Sequence, residues 1–489
     1  MSLPEPEDSR DLHWAARWSP EERESFFTAI ERNRRASWQV GAVASGAAIV
    51  IALIVASLMA PLLYGAIGLS LDLINLLIPM PDVIGYMFVQ LDQAIESLPD
   101  GQNADGPLAF GWVDWIEFGL LAALPGALLM CGILFALYRA TGSVQNLENG
   151  RAPQPDRLEE QRFNNVVSEM AVAALLPEPR IVLMERACGN AIFLEDSAGR
   201  TAVVASTDLL QGLDRDALQG VAAHLVGSLC NDDVKNGHRI AMLTGLFALL
   251  ARMAVGFSNT GILRVLGRLC LTALWPTAAR AKALLVDLVD PFTSPDELER
   301  SVPAEGSLTW KHWLWMPVSG PVAMSGFLAG IVSTFILSPL LAWVWRRRRL
   351  LADAIAVRLT RNPDGVAEGL TQASRVHKPD AIEPWAAHLA VVEPPRNQKH
   401  RGSSFIDGAV VSYYPEMRQR LEALAAQGAD VSLAPKAGMP LHVLALVAPL
   451  AALVVVLFAV LIYLLVVVSL MLSMLFTFFP VALLHVLLR

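Results

Sequence analysis

The sequence has few cysteines and no paired spacing among them. Cys131, Cys188, Cys230 and Cys270 are the whole set, and none falls in a C-x-x-C pattern. They read as reduced, packing cysteines rather than a disulfide framework. Charge is missing from long stretches. Residues 38–63, 118–138, 317–345 and 441–488 contain no Lys, Arg, Asp or Glu. The chain is 54% hydrophobic, with a mean hydropathy of +0.45, above the roughly 45–50% apolar content of soluble globular chains. About 20 apolar residues match the hydrocarbon thickness of a bilayer, and only a helix satisfies its own backbone there, so these runs are expected to span. The last is long enough for two closely joined crossings. The first 37 residues are polar and lack a short apolar stretch before a small-residue site, so no cleavable signal peptide is expected and the first span stays as an anchor. No internal repeat is visible.

Lys and Arg are absent between 72 and 116, where Asp72, Asp82, Asp92, Glu96, Asp100, Asp105 and Asp114 stand. Arg32, Arg34 and Arg35 precede the first run, Arg139, Arg151 and Arg157 follow the second, and Arg346 to Arg349 close the third. The positive-inside rule therefore puts the N-terminus, the region after 140 and the arginine run in the cytoplasm, with an acidic external loop between the first two spans. For 158–238 and 346–436 to share a side, the chain must cross twice between them. The apolar stretch 240–257, interrupted by Arg252, is taken as the second crossing. Residues 261–290, with Arg264, Arg268, Arg280 and Lys282, are amphipathic and suit the interface.

The divisions that follow are 1–37, a cytoplasmic N-terminal segment; 38–140, two spans; 141–157, a polar linker; and 158–238, the first part of a soluble-type domain. A membrane-associated insertion follows at 239–345, then the second part of that domain at 346–436 and a hydrophobic C-terminal region at 437–489. Within the domain, Phe163, Val166, Val167, Met170 and Ala174 have helical spacing. Residues 181–184, 191–194 and 202–205 read as short strands, and Asp214 caps a helix with a Leu218, Val221, Ala222, Leu225, Leu229 stripe. Residues 350–360 and 364–375 read as helices separated at Asn362-Pro363. Residues 378–404 are loose and Pro-rich, and a last soluble helix is expected from about Pro415 to Gln427.

Four stretches carry a resemblance: NNVVSEMAVAALLPEPRIVLMERACGNAIF, TAVVASTDLLQGLDRDALQGVAAHLVGSLCNDDV, RRRRLLADAIAVRLTRNPDGVAEGL and SYYPEMRQRLEAL. Their order resembles the HtpX and CAAX prenyl endopeptidase family of integral-membrane zinc metallopeptidases, over roughly 158–238 and 340–426. The resemblance implies an α+β fold, a multi-span helical membrane protein with a cytoplasmic, mostly helical zincin-like domain carrying a small β-sheet. It also implies a bacterial inner-membrane location and work in protein quality control.

The family's chemistry needs H-E-x-x-H, two zinc-binding His on one helical face with a Glu acting on the metal-bound water. That motif is lacking. By the resemblance the first His matches His224, the general base falls on Leu225, the second His on Ser228, and the third-ligand Glu on Arg349, four residues before Asp353. One ligand of three is retained. A guanidinium has no lone pair to give, and one pointing at Zn²⁺ from about 4 Å would cost on the order of 8 kcal/mol at an effective dielectric of 20. No metal and no cofactor are therefore expected. His238 lies about 21 Å along a continuous helix from His224, and Cys230 lies on another face. His377, His388 and His400 sit in irregular sequence.

Plainer readings stand beside these. His224 also reads as a core histidine, and Arg349 as the last member of a stop-transfer cluster. Asn231, Asp233 and Asp353 match family positions that support the ligand helices and here keep cap and packing hydrogen bonds. Tyr414 stands where the family's Thr-His-Pro has His, with Pro415 and Arg420 in register. Asn190, Ala191, Ile192 and Phe193 match the edge strand on which the family pairs substrate main chain. Strand addition needs no metal, although an edge strand with a purely structural role reads equally well. The expectation is a catalytically inactive relative whose partners are the lipid bilayer and membrane or unfolded polypeptides, with no nucleic acid. The alternatives are an active zinc endopeptidase with a rearranged site, and a structural or transporter-like membrane protein. The uncharged spans argue against ion coupling.

Overall fold

The structure is a computed structural model. It describes residues 24–75, 112–143, 150–185, 189–195, 201–256, 267–272, 325–376, 390–392 and 413–431, with isolated positions elsewhere. The expected C-terminal spans at 441–488 lie outside these segments.

Two bodies share one long helix. The first is built from α1 (Phe26–Asn75), α2 (Trp112–Ser143), α6 (Asp233–Gly256) and the start of α7 (Ser338–Thr360), which a π turn at Ser333–Leu337 precedes. On α1, Val40, Ala44, Ala48, Ile51, Val55 and Leu58 form one buried stripe at the spacing of 3 and 4 that a helix of 3.6 residues per turn requires. The stripe meets Ala123, Met130, Ile133 and Leu137 of α2 and Leu341 and Val344 of α7. Ala56 and Gly126 bring α1 and α2 together, since a Cβ on Gly126 would lie 2.6 Å from the Ala56 Cα. The outward faces stay apolar: Val43, Ile49 and Val50 of α1 and Leu120, Leu128 and Phe135 of α2 are exposed. Among the described residues, Phe26–Ala60 and Ser325–Thr360 are helices long and apolar enough to cross a membrane. The 118–138 run lies within α2, as the shorter apolar segment Ala123–Tyr138.

The second body holds a three-stranded sheet of order β1-β3-β2, made of β1 (Arg180–Met184), β2 (Ala191–Glu195) and β3 (Thr201–Ser206). β1 is parallel and β2 antiparallel to β3. The strands are apolar at successive positions because both faces are covered. Ile181, Leu183, Phe193, Val203 and Ala205 face the helical core of α3 (Leu158–Ala173), α4 (Thr207–Gly212), α5 (Arg215–Cys230), α8 (Pro363–Val376) and α9 (Met417–Ala426). Val182, Ile192, Leu194 and Val204 pack on Trp345, Ala390 and Tyr414. Asp214 caps α5 by accepting from the Ala217 N–H at 2.8 Å. Chain reversal after α7 falls on Arg361, at φ 56°, and Asn362 then caps α8 through the Gly365 N–H at 3.0 Å.

Glycines let α5 approach its neighbours. A Cβ on Gly220 would stand 2.5 Å from the Gly365 carbonyl oxygen, and one on Gly227 would stand 2.9 Å from the Ala352 carbonyl oxygen. α5 is thereby clamped between α8 and α7, and the turn between the two glycines carries His224.

Two readings change. The 141–157 linker is ordered from 150 on: Arg151 pairs with Leu183 across the β1 edge, by N···O distances of 3.0 and 2.7 Å, and its guanidinium forks onto Glu160 at 2.6 and 2.7 Å. This hydrogen-bonded fork holds the Glu160 carboxyl down at about 2 against its burial. The Pro-rich 378–404 stretch is not uniformly loose, because residues 390–392 are bound to the sheet. The 240–257 stretch belongs to a longer helix that begins at Asp233.

Candidate functional site

His224 and Ser228 lie four apart on one face of α5, opposite Arg349 and Asp353, four apart on α7. His224 meets Asp353 and Ser228 meets Arg349, so the two helices run antiparallel at this point. All four side chains are buried, His224 fully. Arg420 enters from α9 and is also buried.

The hydrogen bonds fix the chemistry of this cluster. Arg420 donates to both Asp353 oxygens, Nε to Oδ2 at 2.8 Å and Nη2 to Oδ1 at 2.7 Å. His224 Nδ1 lies 2.7 Å from Asp353 Oδ1. Burial pushes His224 down to about 4; Asp353 opposes this, and Arg420 and Arg349 reinforce it. The imidazole is therefore neutral at pH 7, with its proton on Nδ1 donated to Asp353. Arg420 Nη2, 3.4 Å from Nδ1, faces another donor there and makes a contact rather than a bond. That leaves a lone pair on Nε2, and Arg349 Nη1 lies 3.4 Å from it and 3.3 Å from Ser228 Oγ. The Arg349 guanidinium is also stacked between aromatic rings, 4.9 Å from the Trp345 centroid and 5.6 Å from that of Tyr414.

Positive charge has its own counterions here. Arg348 donates from Nε to Asp233 Oδ1 at 2.7 Å and reaches the Asn231 carbonyl. Asp233 and Asp353 thus face Arg348, Arg349 and Arg420. Zinc does not fit this donor set. The one imidazole presents its lone pair to a cation, and Asp353 is held by Arg420 and His224. Among the described residues no group of three His, Cys, Asp or Glu could hold a metal.

The positions singled out in the sequence are mostly brought together. His224, Ser228, Arg349 and Asp353 touch, whereas Leu225 points into the helical core. Arg349 is not the exposed end of a stop-transfer cluster: it is 1% exposed and central, because the α7 face that carries Asp353 also carries Arg349. Asn231 ends α5 as its C-cap. Asp233 and Asp353 do more than cap and pack, since Asp233 pairs with the part-buried Arg348 and Asp353 with the buried Arg420. Sequence reasoning missed the bidentate role of Arg420, whose only signal was that it keeps, with Pro415, the family's register after Tyr414. His377, His388 and His400 lie outside the described residues.

A second arrangement adjoins the cluster. Val391 and Val392 run along the outer edge of β2, with Ile192 bridged antiparallel to Ala390. Asn190 accepts on Oδ1 from the Val391 and Val392 N–H groups, at 3.0 and 3.3 Å, and donates from Nδ2 to the Val392 carbonyl at 2.7 Å. The Ala191 carbonyl accepts from the Val391 N–H at 3.0 Å. Tyr414 donates its hydroxyl to the Ala390 carbonyl at 2.8 Å, and Arg420 Nη1 donates to the Val391 carbonyl at 2.7 Å. The Asn190 to Phe193 edge, which sequence left equally open to a peptide-pairing or a structural role, thus already holds main chain from this protein at Asn190 to Ile192. Asn190, Ala191, Ile192 and Phe193 are all buried.

Known proteins match this chain. A "Protease HtpX homolog" of Limosilactobacillus fermentum is 25% identical over 311 residues, covering 63% of this chain and 85% of the relative. Proteins of the same name from Streptococcus uberis, 23% identical over 320 residues, and Streptococcus pyogenes serotype M6, 25% identical over 353, cover 64% and 66% of this chain and 87% and 97% of their own lengths. The chain is similar to the HtpX-like metallopeptidases over about two thirds of its length. No family model and no solved structure matches it. For an HtpX-like chain, the cluster places an arginine against the imidazole that resemblance equates with a zinc ligand.

Proposed function

We propose that this HtpX-like protein is a catalytically inactive membrane homologue that binds or regulates polypeptides, with its sheet-bearing body and N-terminus in the cytoplasm and 240–257 as one of several crossings. The observation that carries the reading is the Arg349 guanidinium facing His224 Nε2 at 3.4 Å. A divalent ion on that nitrogen would stand about 4 Å or less from a fixed positive charge, a repulsion on the order of 8 kcal/mol at an effective dielectric of 20. Leu225 supplies no base for a metal-bound water. The exposed apolar faces of α1 and α2 support residence in a bilayer. Support for a polypeptide partner comes from the β2 edge, which engages main chain at Asn190 and Ala191. An incoming peptide would have to displace residues 390–392.

Metal analysis of the purified full-length chain tests the first part. Zinc is expected well below one per chain, with no cleavage of an unfolded protein such as casein. One zinc per chain, lost in His224→Ala, would instead make the protein an endopeptidase with a rearranged site.

A further inference from the structure

Between the first turns of α1, the α5–α6 junction and α7 lies a cavity of about 740 Å³, within the range of small-molecule sites. Its lining is of two kinds. Arg34, Arg239, Arg348 and Arg358 are cationic, with the carboxylate of Asp232 among them. Trp38, Leu243 and Val344 are apolar, each one helical turn from one of these arginines. Arg348 is committed to Asp233, and Asp232 to Lys235 at 3.0 Å. Among the described residues Arg239 hydrogen-bonds to the neutral Asn236 amide, at 3.3 Å, and forms no ion pair. Arg34 and Arg358 make no ion pair among the described residues. Three arginines from three helices therefore converge on one space with no ion pair of their own among the described residues, although each costs like-charge repulsion there.

The helices forming the cavity are the two long and apolar enough to cross a membrane, and they meet it at their basic ends, with Arg34 on α1 and Arg348 and Arg358 on α7. Charge on one turn and apolar surface on the next, repeated on three helices, is the complement of a phosphate head group on an acyl chain. Trp38 is 78% exposed at the boundary between the two, the position tryptophan takes at a membrane interface. We infer that this cavity binds an anionic phospholipid from the surrounding bilayer, its phosphate between Arg34, Arg239 and Arg358. This rests on the proposed reading that α1 and α7 cross a bilayer, and is independent of whether the His224 cluster is inactive.

The test uses the full-length chain purified in neutral detergent, with phosphatidylglycerol, phosphatidylcholine or inorganic phosphate added, read by native mass spectrometry and by thermal melting. Phosphatidylglycerol is expected to remain bound and raise the melting temperature, with phosphatidylcholine and phosphate doing neither. Each arginine near an anionic surface contributes about a five-fold change in binding, so Arg34→Gln with Arg358→Gln lowers phosphatidylglycerol affinity more than about ten-fold. Arg239→Gln, at an exposed position, gives the milder effect without risk to folding, and Arg418→Gln on α9 gives none. Equal binding of both lipids, unchanged phosphatidylglycerol binding in the variants, or saturation of the effect by inorganic phosphate would each overturn the proposal. Carbonate extraction of the chain from membranes would instead sink the bilayer reading itself.

Discussion

Replacing Asp353 with Asn removes the acceptor charge at the centre of the cluster while preserving its shape. The wild-type carboxylate accepts two bonds from Arg420, at 2.8 and 2.7 Å, and one from His224 at 2.7 Å. Hydrogen bonds to charged groups are worth about 1.5–3 kcal/mol each, but they act as a unit. The decisive effect is that Arg420, 1% exposed, keeps its charge without a counterion. Breaking a buried pair from one side costs roughly 3–5 kcal/mol, so Asp353→Asn is expected to destabilise the sheet-bearing body by about 4 kcal/mol. That corresponds to a change of about a thousand-fold in the folded-to-unfolded ratio. Replacing both partners, Asp353→Leu with Arg420→Met, removes the stranded charge and is expected to recover at least half of the loss, although Arg420 also supports the Val391 carbonyl. Urea unfolding in detergent, followed by the near-ultraviolet signal of Trp345, reads both variants. A single-variant cost below about 1 kcal/mol, or a double variant no better than the single, would refute the reasoning that an ion pair organises this core.

Acidification probes His224 separately. Its folded pKa of about 4 lies below the ordinary value of 6.5, so the unfolded chain binds more protons in that window and stability is lost as pH falls from about 6.5 through 4, by roughly 3 kcal/mol at most. Glu160, held at about 2, loses its contribution only below about 4.5; a His224→Asn variant should therefore flatten the curve between pH 6.5 and 4.5 and leave the lower limb, as pH-dependent melting would record. Gly220→Ala drives a Cβ to within 2.5 Å of the Gly365 carbonyl oxygen and is expected to cost about 1–3 kcal/mol by overpacking, measured by the same unfolding assay. Tyr414→Phe deletes the hydroxyl that holds the Ala390 carbonyl at 2.8 Å; it should cost about 1 kcal/mol and speed hydrogen exchange at the Val391 and Val392 amides, whereas unchanged exchange would mean that Asn190 and Arg420 suffice.

Local patterns reached a good deal of the architecture. The three strands, the Asp214-capped helix and the break at Asn362-Pro363 were legible because periodicity, caps and proline act over a few residues. Leu225, Ser228 and Arg349 were singled out by the resemblance, and the structure brings Ser228 and Arg349 together while Leu225 faces the helical core. Arg349 nevertheless looked like one of four equivalent arginines in a row, the last of a stop-transfer cluster. Only the face of α7 on which it lands, set by Asp353 four residues on and by the close approach at Gly227, buries it among His224, Trp345 and Tyr414.

Sequence by itself pointed to helices long and apolar enough to cross a membrane, to a small sheet, and to the absence of an H-E-x-x-H motif, because each is a property of residue type and short-range order. What tertiary structure alone decided is where distant charges meet. Arg420, 67 residues beyond Asp353 in the chain, becomes its counterion, and residues 390–392 fill the edge beside Asn190, some 200 residues earlier. Such pairings depend on how α7 and α8 pack against α5's glycines, and packing geometry is not written in any local window.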